Sequence, residues 1–132
     1  MIFPYRQVTQ KIRRPVIPVI LKNKSKFVLY SGLIDSGADY CIFNIQIAKE
    51  LDVPLQPKKI ILKGIGREKV TGYVAEVEIS IDGSSYDLTA IFVEMEEFGH
   101  GILGQQGFFE HFDVKLSYRN LKIEIEPIST ES

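Results

Sequence analysis

One carboxylate in this sequence stands where a carboxylate is costly to keep. The apolar run ending in Leu33-Ile34 is followed at once by Asp35, then by Ser36, Gly37 and Ala38, a second acid at Asp39, and a new apolar run from Tyr40. Physically, a buried strand delivers Asp35 into a tight turn and another buried strand leaves it. A lone charge between two buried strands is expensive. The position suits either a fully hydrogen-bonded structural turn or a catalytic carboxylate. Other chemistry is poorly supplied. Cys41 is the single cysteine and reads as a small buried hydrophobe. His100 and His111 lack a Cys, Asp or second His at ligand spacing. No Ser–His or Cys–His pair stands out.

The elements that must position Asp35 follow from the pattern. The sequence predicts a hairpin of strands over Val16–Leu21 and Phe27–Tyr30, joined by the polar turn Asn23-Lys24-Ser25-Lys26, with Pro18 implying an edge or a bulge. This hairpin leads straight into the Asp35 loop. Tyr40–Phe43 reads as a short strand, and Asn44 as the N-cap of a helix running to about Leu51 and stopped before Pro54. Residues 58–81 read as a long hairpin, with Ile60-Ile61-Leu62 on one arm and the alternating stretch Tyr73–Ile79 on the other. At its tip, Gly64-Ile65-Gly66 allows close approach to a ligand backbone. Asp82-Gly83 signals a hairpin turn into a strand over Tyr86–Val93, with Leu88, Ala90 and Phe92 on one face. Ile102-Leu103-Gly104 precedes a predicted helix over Gln105–His111, repeating the first half's order of strand, polar loop, apolar pair at a glycine turn, and helix. Phe112–Pro127 reads as a hairpin around Arg119-Asn120, with Leu121, Ile123 and Ile125 inward and Lys122, Glu124 and Glu126 outward.

A chain of 132 residues, 45% hydrophobic and 25% charged, makes a single soluble globular domain. The expected boundaries are a basic N-terminal arm over 1–13, one domain over 14–127, and a disordered tail over 128–132. Lys plus Arg (16) nearly balances Asp plus Glu (17), so neither a nucleic acid nor a membrane surface is expected as partner. No apolar run approaches the length of a membrane span, and the first residues lack the apolar core of a signal peptide. With no internal disulfide framework, a cytoplasmic location is the expectation.

The stretch Leu33-Ile34-Asp35-Ser36-Gly37-Ala38-Asp39 resembles the active-site loop of the retropepsin-like aspartic proteases, the family of the retroviral proteases. That loop has two apolar residues, then Asp, Thr or Ser, Gly and Ala, often with a further Asp. An Asp-Ser-Gly alone is an ordinary turn. The order of motifs strengthens the resemblance: Arg14-Pro15, strand, turn, strand, the Asp35 loop, a glycine-bearing hairpin, then Ile102-Leu103-Gly104. It spans about residues 14–112. It implies a mostly β, retropepsin-like acid-protease fold, a closed barrel-like domain with a flap hairpin and one or two short helices. It implies that Asp35 is catalytic and that Ser36, Gly37 and Ala38 support its loop. Gly37 and Asp39 would hold an extended substrate backbone, Gly64, Ile65 and Gly66 would cover it, and Ile102, Leu103 and Gly104 would brace the site. Arg14 would face Asp39 of a second subunit across a dimer interface. Two departures are visible. Arg67-Glu68 places charge where the retroviral flap is richer in glycine, and the C-terminal hairpin continues where retroviral enzymes end. The second points to a cellular or bacterial member.

Aspartic proteolysis needs two carboxylates a hydrogen bond apart, sharing one proton and a water. One draws a proton from the water as it attacks the peptide carbonyl, and the other protonates the carbonyl oxygen. No metal and no cofactor is required. The chain has one Asp-Ser-Gly, so the second carboxylate must come from a second copy. The function implied is therefore an endopeptidase acting on extended polypeptide through an Asp35 dyad across a homodimer. The alternative is a catalytically silent module of the same fold, which dimerises or binds peptide as a scaffold and uses Asp35 as a turn residue.

Overall fold

Alternating apolar and polar residues commit most of this chain to strands, and the order in which the strands pair decides what surrounds Asp35. The structure is a computed structural model and describes residues 1–56, 59–63, 69–95 and 99–128. The first strands are β1 (Ile2–Pro4), β2 (Arg6–Gln7), β3 (Arg13–Arg14), β4 (Val16–Asn23), β5 (Lys26–Ile34) and β6 (Ile42–Asn44). The helix α1 (Ile45–Glu50) follows. The remaining strands are β7 (Lys59–Lys63), β8 (Lys69–Ile81), β9 (Ser84–Val93), β10 (Gly101–Leu103), β11 (Phe112–Ser117) and β12 (Lys122–Pro127).

Among the described residues, seven strands form the main sheet in the order β4-β5-β10-β6-β9-β8-β7. β4 also pairs with β8, Ile20–Lys22 against Glu78–Ser80, so the run of pairings returns on itself. Ile17, Leu21, Phe43, Ile79, Phe92, Leu103 and Phe108 fill the interior and are fully buried. Pro18 pairs with Ser31 of β5 and lies outside the stretch that β8 contacts, the one-sided position a residue without an N–H requires. Asp82 and Gly83, with φ of 45° and 87°, make the two-residue turn between β8 and β9. Asn44 caps α1 by accepting from the Gln46 N–H at 3.0 Å, and the helix buries Ile47 and Ala48 before ending at Leu51.

A second sheet has the order β1-β12-β11 and ties the two ends of the chain together. Phe3 lies opposite Ile123, and the Met1 ammonium donates to the Ile125 carbonyl at 3.0 Å. Ile123 and Ile125 are fully buried beneath it. Leu121, placed in the last strand by the alternation, sits instead in the preceding turn with φ of 53°. β2 and β3 form a separate ribbon that pairs Arg6 with Arg14, and the Arg6 guanidinium donates to Ser31 Oγ at 3.1 Å.

The predicted helix over Gln105–His111 does not form. The segment is a run of turns in which the Phe109 and Glu110 N–H groups reach back to the Gly104 and Gln105 carbonyls, at 3.2 and 3.1 Å. Gly107 has φ of 97°, which an α-helix cannot accommodate. One α-helix therefore stands among the described residues. No helix among them is long and apolar enough to cross a membrane. Of the tail expected over 128–132, Ile128 is described and its N–H donates to the His111 carbonyl at 2.8 Å, while residues 129–132 lie outside the described residues.

Candidate active site

β5 continues beyond the predicted Phe27–Tyr30 and ends at Ile34, one residue before the carboxylate. Both flanks of that end are held. The Ile34 N–H donates to the Pro15 carbonyl at 2.9 Å, and the Asp35 N–H donates to the Leu103 carbonyl at 3.0 Å. The turn that follows is closed twice. The Ala38 N–H donates to the Asp35 carbonyl at 3.2 Å, and the Gly37 N–H donates to Asp35 Oδ1 at 2.9 Å. Such side-chain-to-backbone bonds are what Asp contributes to tight turns. Asp35 and Ala38 are half-buried, whereas Ser36, Gly37 and Asp39 are exposed. Among the described residues the ion pairs are Lys26–Asp52 and Lys122–Glu124, so Asp35 has no cationic partner within them.

β10 runs between the two strands that flank the loop. It is parallel to β5, with Gly101, Ile102 and Leu103 beside Gly32, Leu33 and Ile34, and antiparallel to β6, with Ile102 beside Ile42. The chain beyond β10 then clamps the loop. The Gln105 N–H donates to the Ala38 carbonyl at 2.8 Å, and the Gln106 N–H to the Asp39 carbonyl at 2.9 Å. Gln105 Nε2 adds a bond to the Ser36 carbonyl at 2.8 Å. Gly104 is where the two segments come closest: a Cβ there would lie 2.3 Å from the Tyr40 oxygen and 2.7 Å from the Ala38 oxygen.

Ile102, Leu103 and Gly104 thus lie against the Asp35 loop, together with Ser36, Gly37, Ala38 and Asp39. Arg14 is exposed on β3, opposite Arg6. Gly64, Ile65 and Gly66 lie outside the described residues, although the arms below them, β7 and the start of β8, pair from Lys59–Tyr73 to Lys63–Lys69. Two contributors escaped the sequence reading. Gln105 reaches Ser36 through its side chain, and nothing local in the sequence marks it. Gly32 matches Gly101 in the parallel pair, and the repeated order Gly, apolar, apolar was the available signal.

Cys41 leaves the loop into the core. It is fully buried, its thiol donates to the Gln106 carbonyl at 3.4 Å, and burial pushes it up to about 11. Tyr86 lies nearby. Its hydroxyl donates to the Gly107 carbonyl at 2.6 Å, its ring stacks on His111 at 4.1 Å, and burial raises its phenol. These groups buttress the turns behind the loop.

A family model described as aspartyl protease matches residues 18–106, a span that includes both the Asp35 loop and its clamp. The chain belongs to the aspartyl protease family. Solved structures place its fold more narrowly within that family. A retropepsin-like aspartic protease from Rickettsia conorii superposes with a TM-score of 0.59 at 12% identity, covering 93% of this chain and 86% of that one. The retroviral protease-like domain of Ddi1 from Leishmania major gives 0.56 at 15% identity, covering 89% and 97%. EIAV protease in complex with the inhibitor HBY-793 gives 0.54 at 19% identity, covering 75% and 88%. At such identities the likeness establishes the retropepsin-like fold of this aspartyl protease family member and nothing finer. A search of curated proteins finds no match.

Proposed function

We propose that this chain is an aspartic endopeptidase that works as a homodimer, with Asp35 and the partner's Asp35 forming one dyad around an activated water. One carboxylate takes a proton from the water as it attacks the scissile carbonyl. The other, protonated, donates to the carbonyl oxygen. Two carboxylates at that separation cannot both ionise readily, so the pair holds one proton between them. The substrate is an extended polypeptide lying along Gly37 and Asp39 and covered by Gly64, Ile65 and Gly66. Arg14 faces the partner's Asp39.

The observation that carries this reading is the way Asp35 is presented. Its turn is closed by its own backbone and side chain and clamped from behind, yet its carboxylate meets no cation among the described residues. A carboxylate buried beside Lys or Arg would be locked in its charged form. One without such a partner can share a proton with a like group.

The test is cleavage of an unfolded protein across roughly pH 4 to 7, the range in which a shared-proton pair operates. Wild type and Asp35→Asn are compared after sedimentation has shown both to be folded dimers. Cleavage by wild type alone supports the assignment. Equal cleavage by both overturns it, and cleavage by neither favours a silent scaffold of the same fold.

A further inference from the structure

The two edges of β8 are covered differently. β9 pairs with one edge continuously from Gly72 to Ile81. On the other edge, β7 takes Lys69–Tyr73 and β4 takes Glu78–Ser80. Among the described residues no strand pairs with the stretch between them, and a single connector bond, from the Gln56 N–H to the Val74 carbonyl at 2.8 Å, fills its near end. Alternation determines what remains open. Val74 turns its backbone polar groups to this edge, and Glu78 meets Lys22 on the same edge. Glu76, midway between them, therefore turns its N–H and C=O there too.

A groove of about 930 Å³ opens over this stretch. Glu76 and Glu78 of β8 and Asp87 of β9 line one side, Lys22 and Lys24 line the other, and Leu55 adds apolar surface. Glu78 and Asp87 lie directly opposite each other in the ladder, an arrangement of like charges that destabilises a sheet. Neither they nor Glu76 form an ion pair among the described residues, and Lys22 does not reach Glu78. Asp52 on the rim is already paired with Lys26. No group of His, Cys, Asp or Glu among the described residues could hold a metal ion.

We propose that this groove docks an extended polypeptide segment with Lys or Arg at alternate positions, which adds as a strand to the open edge of β8 at Glu76. Strand addition supplies main-chain hydrogen bonds through the N–H and C=O of Glu76, which meet no partner on this edge among the described residues, and alternate side chains supply selectivity. Successive side chains of the incoming strand point to opposite faces. Its cations lie beside Glu76, Glu78 and Asp87 and relieve their repulsion, while the intervening apolar residues find Leu55. The groove lies at the Asn23–Lys26 end of the β4–β5 hairpin, and Asp35 follows the other end, about 25 Å of strand away. Docking is therefore independent of catalysis.

The experiment uses the whole chain carrying Asp35→Asn, so that no probe is cut. The probe is an end-blocked, fluorescein-labelled octapeptide alternating lysine and valine, followed by fluorescence anisotropy at low salt. Saturable binding is expected. It should weaken about tenfold when Glu76→Gln and Glu78→Gln are combined, and fall with added salt. Glu76→Pro removes the edge N–H while sparing the β9 ladder, and should also abolish binding. If that variant does not fold, the glutamine pair decides alone. Absence of saturable binding, affinity unchanged by the glutamine pair, or equal affinity for an alternating glutamate–valine peptide would each overturn the proposal.

Discussion

Gly104→Ala should disable the Asp35 loop without altering a residue in it. The new Cβ would lie 2.3 Å from the Tyr40 oxygen, 2.7 Å from the Ala38 oxygen and 2.8 Å from the Tyr40 carbonyl carbon. All three are backbone atoms, so no side chain can rotate out of the way. Relief requires the segments to part, which weakens the Gln105–Ala38 and Gln106–Asp39 bonds, now 2.8 and 2.9 Å long. Overpacking of this kind costs about 1–3 kcal/mol, and each weakened bond about 0.5–1.5 kcal/mol. The loss should total about 2–6 kcal/mol, which lowers Tm by about 7–20 °C in a domain of this size. Activity should fall by about a hundredfold, because a displacement of about 1 Å at a reacting group has that effect. The assay is thermal unfolding and initial cleavage rate on the same preparation. Gly83→Ala provides the comparison: φ is 87° and nothing lies within 4 Å of its added Cβ. It should cost about 1 kcal/mol of backbone strain and leave the rate alone. If Gly104→Ala melts within about 2 °C of wild type at full activity, or if Gly83→Ala is the more damaging, the steric reasoning is refuted.

Stability should fall above pH 9, because burial raises the Cys41 thiol from 9.0 to about 11. Below pH 9 the thiol is protonated in both states, whereas between pH 9 and 11 the unfolded chain releases the proton and the folded chain keeps it. Unfolding then gains about 1.4 kcal/mol per pH unit, and Tyr86, raised by burial in the same direction, adds the same sign from pH 10 upward. Urea midpoints at pH 8 and 10.5 for wild type and Cys41→Ala will show this, the variant losing the thiol's part of the slope. Ellman's reagent at pH 8 should label Cys41 only after unfolding. Asn44→Ala removes the cap on the Gln46 N–H and should cost about 1 kcal/mol in urea unfolding, with kcat unchanged.

The strands were legible because one face of each is buried, and period-two alternation records that burial directly. β8, β9 and β12 show it most clearly, with Val77, Ile79, Leu88, Ala90, Ile123 and Ile125 all buried. The cap of α1 was legible because Asn at that position has one dominant local use. The run after Gly104 misled because Phe108, Phe109 and Phe112 have helical spacing, while the φ of Gly107 and the bond from its N–H to Glu110 Oε1 at 2.7 Å favour successive turns. β1 was not legible at all, since its partner β12 lies at the far end of the chain and Ile2–Pro4 carries no alternation. At the site, the Asp35-Ser36-Gly37 turn could be read from local chemistry, whereas Gly104 was placed beside it only by the resemblance to the retropepsin-like proteases. Gln105 could not, because its role depends on a contact across the chain with the Ser36 carbonyl. The edge at Glu76, which no strand among the described residues covers, was equally invisible, since it follows from where β7 stops and β4 begins along β8.

The most direct measurement is a subunit-mixing titration. A fixed amount of wild type is equilibrated with increasing Asp35→Asn chain, and the cleavage rate is followed. If each active centre takes one Asp35 from each copy, random pairing should lower the rate to about half at equal amounts and to about a tenth at a ninefold excess of variant. A rate that stays constant while mixed dimers form would mean that one copy carries a complete site, and would contradict the shared dyad.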